Sequence, residues 1–380
     1  MRKIAFLLLF LAFFISISGL IQAEKIKIKV EKGIPVVYNP KKPAPPPGVK
    51  HKLILKEELC IGDQEEEYLF AERADYVSTA IDNEWNIFTL DPKLVEIRKY
   101  SSKGKLIKIF GKKGQGPQEM DNPSNMMITP QNELMFKDRG NSRLTFYSLD
   151  GEYLRYIPTH KWSLGRLKID SNGNLVTEVR DYSTADKKIE KVTYEIKRFN
   201  QKLEPLFTIF SIDITDEIRE RIEERKYSYG PLRYWQITKD DNIIIGDTKN
   251  YEFSIINPEG KLIRKIKREF DSAEVTKEEE EQFYGRFPKA MREKMNLPKY
   301  HTSGFYYFTI DEEGRIFART WEKPKDKKGY FYDVFDSEGR YISKIPINAF
   351  IKRWIKGKLL TVEETEDGFP VVKLYKVIWN

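Results

Sequence analysis

The amino-acid sequence predicts an all-β fold: a six-bladed β-propeller of four-stranded antiparallel blades, closed by an N-terminal strand. Three observations predict it. Two hairpin phrases recur along the chain, the shorter intervals between copies match one blade, and the chain ends one strand short of a complete sixth blade. We expect a single propeller domain over residues 24–380, with two small helical insertions on one face.

The segment before this domain, residues 1–23, is typical of a secretory signal peptide. Arg2 and Lys3 precede an almost unbroken apolar run over residues 4–17, and small residues follow as far as Ala23. The run is short for a membrane span, and no second such run follows it. We therefore expect cleavage after Ala23 and export to the periplasm or the medium. Retention of the segment as an uncleaved anchor is the alternative.

Charge and cysteine content limit the kinds of partner and the source of stability. The chain carries 66 Lys and Arg residues and 58 Asp and Glu residues, a formal net charge of +8, without a polybasic block. This mixture is typical of a solvated surface, so no nucleic-acid partner is expected. The single cysteine, Cys60, cannot form an internal disulfide, and we expect it to be buried as a small apolar residue in a monomer.

The first repeated phrase is a strand, a tight Asn/Asp/Gly turn and a second strand. Its copies are AIDNEWNIFTLD, MITPQNELMFKD, KIDSNGNLVTEV, QITKDDNIIIGD and TIDEEGRIFART. Their apolar anchors are Ile81, Ile128, Ile169, Ile237 and Ile310, at intervals of 47, 41, 68 and 73 residues. The shorter intervals match a propeller blade, and the two longer ones equal a blade with an insertion.

A second hairpin phrase follows most copies of the first, with glycines at 104, 151, 260 and 339. Two hairpins make a four-stranded blade. The sixth unit, WIKGKLLTVEET with FPVVKLYKVIWN, stops after three strands. EKIKIKVEKGIPVVYNP alternates lysine and apolar residues as a half-buried strand does, so we expect residues 24–38 to supply the missing strand and remove two exposed edges. The Pro-rich residues 40–48 would then be a stiff connector back to the first blade.

Three segments resemble bacterial exported six-bladed β-propellers related to NHL-repeat proteins. They are FGKKGQGPQEMDNP, LMFKDRGNSRLTFYSLDGEYL and the N-terminal GIPVVYNP. The resemblance covers nearly the whole chain after the signal segment and implies the fold, but it implies no particular chemistry. The chain departs from the family pattern at Gln118-Glu119-Met120, where Gly-Glu-Phe is common, and in its two long insertions.

The glycine-rich loop FGKKGQGPQEMDNPSNM lacks the Lys-Ser/Thr pair of a phosphate-binding P-loop. We expect it to connect the outer strand of the first blade to the inner strand of the second. Gly111, Gly114 and Gly116 would allow positive φ there, and Pro117 would fix the path. Cradling of a phosphate is the less favoured interpretation.

The two insertions, residues 211–230 and 271–303, both lie between blades and so on one face of the ring. In the first, Ile214, Ile218 and Ile222 have helical spacing, and Thr215 is a plausible N-cap. In the second, Thr276 and Glu279 form a capping box, apolar residues recur every four positions, and Pro288 divides the segment into two short helices. The apolar residues are Phe283, Phe287, Met291 and Met295. The insertions either pack on the rim or form a cap over the channel mouth.

Candidate ligand-binding residues are basic and aromatic side chains in the loops of this face. They are Arg139, Arg143, His160, Lys161, Trp162, Arg180, Arg233, Trp235 and His301. Together with Arg166 they would make an electropositive mouth that attracts an anionic ligand. Trp162, Tyr234, Trp235, Tyr306 and Tyr307 would offer stacking surfaces, although some of these must be core residues.

Some loop residues have a plain structural interpretation. Asp91, Asp138 and Asp247 end the second strand of their blades, and Asp138 precedes Arg143 in an NHL-like pattern. We expect the acids to accept hydrogen bonds from loop N–H groups and Asp138 to pair with Arg143.

No Ser/His/Asp order, paired catalytic carboxylates or metal-ligand spacing is evident, so we expect no catalytic residue, no metal and no cofactor. His160 and His301 share a face, but a zinc site needs three or four protein ligands. The leading hypothesis is an exported binding module for an unknown small-molecule, glycan or protein ligand at the channel mouth. The alternative is a metal-dependent lyase or lactonase at the same place.

Overall fold

A computed structural model describes residues 25–62, 69–185, 188–225, 233–295, 297–325 and 328–380. The predicted signal peptide, its cleavage site and the second part of the first insertion lie outside these residues. The described chain forms six antiparallel four-stranded sheets in a ring, one of them extended by two further strands. The predicted six-bladed β-propeller is confirmed.

The first three strands of the chain precede the first blade. They are β1 Lys27–Glu31, β2 Ile34–Asn39 and β3 Leu53–Ile61. Blade 1 contains β4 Ser78–Ile81, β5 Ile87–Asp91, β6 Glu96–Tyr100 and β7 Leu106–Phe110. Blade 2 contains β8 Pro123–Ile128, β9 Glu133–Asp138, β10 Arg143–Ser148 and β11 Tyr153–Pro158. Blade 3 contains β12 Leu164–Ile169, β13 Leu175–Ala185, β14 Lys188–Phe199 and β15 Pro205–Asp213.

The second half of the ring follows in the same order. Blade 4 contains β16 Arg233–Ile237, β17 Ile243–Asp247, β18 Glu252–Ile256 and β19 Leu262–Arg268. Blade 5 contains β20 Tyr307–Ile310, β21 Ile316–Arg319, β22 Tyr330–Phe335 and β23 Tyr341–Ile347. Blade 6 contains β24 Phe350–Ile355, β25 Lys358–Glu364 and β26 Pro370–Trp379, with β3 as its outer strand.

An N-terminal strand closes the ring, but the expectation that residues 24–38 supply it is wrong. The closing strand is β3, which pairs antiparallel with β26 from Trp379 opposite Leu53 to Val372 opposite Ile61. Ile61 is fully buried in the core between blades 6 and 1. Residues 25–30 alternate strictly, whereas β3 has apolar residues on both sides of a polar Lys-Glu-Glu centre, so the search for strict alternation selected the wrong segment.

Residues 27–39 instead form a hairpin on the outer edge of blade 4. The chain turns through Lys32 and Gly33, both at positive φ, and β2 joins β19 in parallel. Asn39 anchors this hairpin: its side-chain amide donates to the carbonyl of Gly339 at 2.9 Å and accepts from the N–H of Tyr341 at 2.7 Å. All five residues of β1 are exposed.

The Pro-rich connector therefore runs from blade 4 to the closing strand in blade 6, and does not lead directly to the first blade. It passes blade 5, where the N–H of Ala44 donates to the carbonyl of Tyr341 at 2.9 Å. It ends where the N–H of His51 meets the carbonyl of the C-terminal Asn380 at 3.0 Å. The end of the connector is thus tied to the residue that follows β26.

The repeat analysis is confirmed in detail. The five anchor isoleucines are the last residues of the inner strands β4, β8, β12, β16 and β20. Apolar side chains from neighbouring blades pack against each other in six core clusters between the sheets. Cys60 lies on β3 and is half-buried, so the expectation of full burial is wrong.

Three short helices occur in the insertions: α1 Thr215–Ile222, α2 Lys277–Tyr284 and α3 Lys289–Arg292. Thr215 is not the N-cap of α1 as predicted, but its first residue. Its hydroxyl accepts from the N–H of Val192 at 2.9 Å and donates to Asp213, so it ties the helix to blade 3. The capping box of Thr276 and Glu279 at α2 and the break at Pro288 are both confirmed.

Candidate ligand site in the central channel

The two faces of the ring differ in what they carry. Every inner strand begins at the face of the inter-blade connections and ends in a tight turn at the opposite face. The helical insertions and the loops between second and third strands therefore surround one mouth of the central channel. We call this face the loop face and the other the turn face.

Carboxylates at the ends of second strands hold the loop face together, as predicted. Asp138 is fully buried and accepts from the guanidinium of Arg143 at 2.8 Å and from the N–H of Asp121 at 2.7 Å. Asp91 accepts in the same way from the N–H groups of Ala71, Lys93 and others in its two neighbouring loops. These acids fix the loops to the blades.

The glycine-rich loop turns the corner from β7 to β8, and Gly111 and Gly114 have φ of 89° and 155°. The N–H of Gly116 donates to the carboxylate of Glu119 at 2.8 Å, and the carbonyls of Gly116 and Glu119 accept from Arg143. The loop thus uses these polar groups internally, which supports the corner-turning interpretation over a phosphate cradle.

A cavity of about 810 Å³ occupies the channel. All six inner strands contribute to its wall. Four of the repeat anchors line it: Ile128, Ile169, Ile237 and Ile310. Because each of them ends its inner strand, they surround the channel at the turn face and make this end apolar. The opposite end is open between the loops and helix α2.

Among the described residues that line this cavity, basic side chains outnumber acidic ones by seven to two. The acids are Asp75 and Glu279. The basic residues are Arg73, Arg166, Lys168, Arg286, Arg319, Lys352 and Arg353. Low-dielectric walls concentrate the field of such a set, so the cavity attracts anions.

Two of these cations approach each other from opposite blades. Lys168 lies on β12 in blade 3, and Arg353 lies on β24 in blade 6. Burial, with the positive charges of Arg166 and Arg353, lowers the pKa of Lys168 to about 8. Arg353 is solvent-accessible through the cavity, yet protein surrounds it closely enough that desolvation lowers the pKa of its guanidinium. Within the described chain neither side chain has a carboxylate at ion-pair distance, although the charge of Glu312 partly opposes the lowering of the pKa of Arg353.

Lys352, next to Arg353, adds a positive charge to the cavity wall nearer the loop face. Its ammonium group donates to the carbonyl of Asp75 at 3.0 Å, in the connection that leads into β4. Burial lowers its pKa to about 8, and the charge of Asp75 opposes this only partly. The pair of Lys168 and Arg353 forms a separate cluster of positive charges, which we call the deep cluster.

Tyrosine rings support the arginines closer to the loop face. The guanidinium of Arg166 lies 3.5 Å from the ring centroid of Tyr234, and that of Arg319 lies 3.5 Å from the ring centroid of Tyr330. The rings of Tyr234 and Tyr307 are 5.8 Å apart and connect the two. These cation–π contacts hold the guanidinium planes, and Arg166 also pairs with Glu178 at 3.6 Å, so of the two only Arg319 lacks an ion pair among the described residues.

Helix α2 contributes Glu279, Gln282 and Phe283 to the mouth, and Arg286 follows just after the helix. Glu279 is held at its position by the capping box and by His301, whose Nε2 lies 3.3 Å from its carboxylate. The imidazole of His301 stacks on Trp321, with ring centroids 3.8 Å apart. Burial raises the pKa of Glu279, but the hydrogen bonds from His301 and Thr276 outweigh this effect and lower it.

None of the nine predicted ligand-binding residues lines the cavity in the part of the chain that the structure describes. Arg139, His160, Lys161 and Arg180 are exposed on the surface. The other five have protein partners. Arg143 binds Asp138, Trp235 is fully buried against Glu178, Arg233 pairs with Glu217, Trp162 packs on Phe199, and His301 holds Glu279.

Sequence reasoning named Arg166, Tyr234, Tyr306 and Tyr307 as neighbours of the mouth, and all four line the cavity. It missed the deep cluster. A signal was present: the residues one and three positions before the anchors Ile169, Ile237 and Ile310 all line the cavity. Reading the same positions across the repeats would have indicated Lys168.

The described residues contain no group of three or more His, Cys, Asp and Glu side chains placed to hold a metal ion. Nor does the described chain have a helix with the length and apolar character of a membrane span.

No protein-family model matches the chain, and no curated protein matches it. Among solved structures it is similar to a protein from Bacteroides fragilis that is named as an exported protein, with a TM-score of 0.55 and 11% identity over 90% of this chain and 99% of that chain. A member of the duf4221 family from Bacteroides vulgatus has a TM-score of 0.50 and 10% identity, over 87% of this chain and 100% of that chain. A gluconolactonase from Xanthomonas campestris has a TM-score of 0.45 and 12% identity, over 88% of this chain and 98% of that chain. At these identities the similarity concerns the fold, and the resemblance noted in the sequence is confirmed at that level: the chain is a six-bladed β-propeller.

Proposed function

We propose that this protein is an exported binding module that takes up an anionic ligand in its central channel. The observation that carries the proposal is the deep cluster. Lys168 and Arg353 face each other from opposite blades, with no carboxylate of the described residues at ion-pair distance from either and only the more distant charge of Glu312 acting on Arg353. Like charges held close together in a partly desolvated channel repel each other, so such an arrangement is expected where a ligand supplies the opposite charge.

Two further features support the interpretation of the central cavity as a ligand site. The cavity volume of about 810 Å³ lies within the range of small-molecule sites, roughly 300–1,000 Å³. Aromatic rings near the loop face, including Tyr306, Trp321 and Tyr330, line the cavity. Entry from this face places an anion under the influence of Arg73, Arg286 and Arg319 before it reaches the deep cluster.

Export is part of the proposal. The apolar run over residues 4–17 is typical of a signal peptide, and a protein named as exported shares the fold. Periplasmic or culture-medium protein purified from the producing cell should begin at residue 24 if Ala23 is the cleavage site. Mass spectrometry of the intact chain tests this: a mass that includes residues 1–23 contradicts cleavage.

Isothermal titration calorimetry with sulfate, inorganic phosphate, citrate and galacturonate tests the ligand class at low ionic strength. We expect at least one of these anions to bind with a stoichiometry of one, and both Lys168→Met and Arg353→Met to weaken it about tenfold or more. Lys103→Met is a matched control, because Lys103 is exposed on a turn of blade 1 away from the cavity. Equal binding by all four proteins contradicts a channel site.

Elemental analysis of the purified protein separates this proposal from a metal-dependent lyase or lactonase. Stoichiometric zinc or calcium, lost in His160→Ala or His301→Ala for zinc, favours the enzyme. Unchanged anion binding after treatment with a chelator favours the binding module.

A further inference from the structure

Arg319 is a buried arginine without a carboxylate partner. It ends β21 at the loop face, lines the cavity and is only 8% exposed. Three tyrosine rings surround its guanidinium, with centroids at 3.5 Å for Tyr330, 4.8 Å for Tyr306 and 5.8 Å for Tyr307. No carboxylate of the described chain pairs with it.

A second arginine of the same protein shows what a structural arginine in such surroundings looks like. Arg268, at the junction of blades 4 and 5, also lies between two tyrosines, Tyr251 and Tyr341. It pairs with the fully buried Asp333 at 3.3 Å and donates to the carbonyl of Lys41 at 2.8 Å. Arg319 has the aromatic support without the acid, and it borders a cavity where a ligand can provide one.

Stacking makes Arg319 suitable for recognition of a planar anion. The rings cover the flat faces of the guanidinium and limit its rotation, while the edge carries N–H groups in a fixed fork. This fork matches a carboxylate or phosphate group through two parallel hydrogen bonds. Preorganisation by the rings lowers the entropy lost when such an anion binds.

This position is separate from the deep cluster but continuous with it along one wall. From Arg319 the wall passes Tyr307 at 5.8 Å, then Tyr234 after another 5.8 Å, then Arg166 after 3.5 Å. Lys168 follows Arg166 two residues later on the same strand, roughly 7 Å further. Positive groups thus stand at both ends of a wall whose middle consists of tyrosine rings.

We infer that the cavity contains a second anion subsite at Arg319, and that the ligand is an elongated dianion. One acidic group would meet the deep cluster, the other would meet Arg319, and a spacer would lie against Tyr234 and Tyr307. The inference rests on the proposed function, since it specifies the ligand of the same cavity. Carboxylate and phosphate share the chemistry that Arg319 recognises, so both enter the test.

The experiment compares dianions with matched monoanions by isothermal titration calorimetry. The probes are adipate, sebacate, dodecanedioate and hexadecanedioate, the longest of which approaches the length of this wall, the diphosphonates of the same chain lengths, and for each the analogue with one acidic group. We expect one chain length to bind about tenfold or more tightly than its monoanion. The series that shows the larger difference identifies carboxylate or phosphate as the preferred group.

Variants assign this difference to Arg319. Arg319→Met should remove the advantage of the dianion and leave the affinity for the monoanion within about twofold, because the deep cluster is untouched. Arg319→Lys keeps the charge but loses the fork, so it should keep part of the advantage, and it also serves if Arg319→Met fails to fold. Lys323→Gln is the control: Lys323 lies 5.5 Å from the ring of Tyr330 but pairs with Glu278.

Two results overturn the inference without affecting the proposed function. One is a wild-type protein that binds monoanions as tightly as every dianion. The other is a dianion advantage that persists in both Arg319 variants. Failure of all probes to bind, monoanions included, contradicts the proposed function itself.

Discussion

Lys168 of blade 3 and Arg353 of blade 6 lie close enough across the central channel for the arginine to lower the pKa of the lysine. Their strands stand opposite each other in the ring, so the two charges meet near its axis. Folding brings them together against their repulsion. The protein therefore carries an electrostatic cost at the centre of its cavity, and a bound anion would relieve that cost.

A direct consequence is that removal of either charge should stabilise the unliganded protein. Lys168→Met replaces a half-buried, desolvated cation by an apolar side chain of similar length, which we expect to raise the free energy of unfolding by about 1 kcal/mol after allowance for water in the cavity, and Arg353→Met at its exposed position should raise it less. Urea denaturation in anion-poor buffer measures this. Destabilisation in both variants would mean that the charges serve the fold.

Anion binding should weaken as the pH rises through about 8. In the free protein the pKa of Lys168 and that of Lys352 are both about 8, below the usual 10.5. A bound anion favours the protonated forms, so above pH 8 binding must take up protons and becomes less favourable. Titration with sulfate, which does not change its own charge in this range, measures the effect.

Lys168→Met should flatten that pH profile, since one of the two titrating groups is gone. A wild-type profile that is level from neutral pH to about 10.5 would contradict a role of both lysines in binding.

Ring closure can be tested by separating the two N-terminal segments. Ile61→Asp places a charge in the core between blades 6 and 1, and we expect a loss of several kcal/mol. Deletion of residues 25–31 removes the fully exposed β1 and should cost far less. Guanidinium denaturation of the two variants provides the comparison, and the opposite order of stabilities would show that the hairpin matters more than β3.

The second insertion should control access to the cavity. Replacement of residues 271–299 by a short Gly/Ser linker leaves every blade strand intact, and loop length changes the closure entropy only slowly. It removes Phe283 and Arg286 from the mouth. We expect an unchanged β-sheet signal in circular dichroism, faster dissociation of a bound anion in stopped-flow measurements and new binding of an apolar dye. Unfolding of the whole domain would show that the segment belongs to the core.

The fold could be predicted because its information is local and repeated. Each anchor, such as Ile169, ends an inner strand, so their intervals revealed the blades. The closing strand was placed wrongly because KIKIKV alternates strictly and LILKEELCI does not, and only pairing with β26 identifies the second segment as the closing strand. The position of a strand along the chain does not show which blade edge its apolar side chains can pack against.

The candidate site was harder to predict because the sequence does not show whether a basic residue pairs with an acid of the fold or lines the channel. Arg143 was selected for its place in a loop, yet Asp138 binds it as part of the fold. Lys168 resembles any lysine of an amphipathic strand, and its importance appears only when the ring brings Arg353 opposite to it. Contacts between blades three apart in the ring leave no pattern in the local sequence.

The most direct test of the central claim is the location of an anion by anomalous diffraction from crystals soaked in selenate. Selenium in selenate scatters anomalously and so distinguishes the anion from water. We predict a peak in the central channel within hydrogen-bonding distance of the ammonium group of Lys168 and the guanidinium of Arg353, and no such peak in crystals of Lys168→Met. A wild-type channel without a peak, at selenate concentrations that label other sites on the protein, would contradict the account.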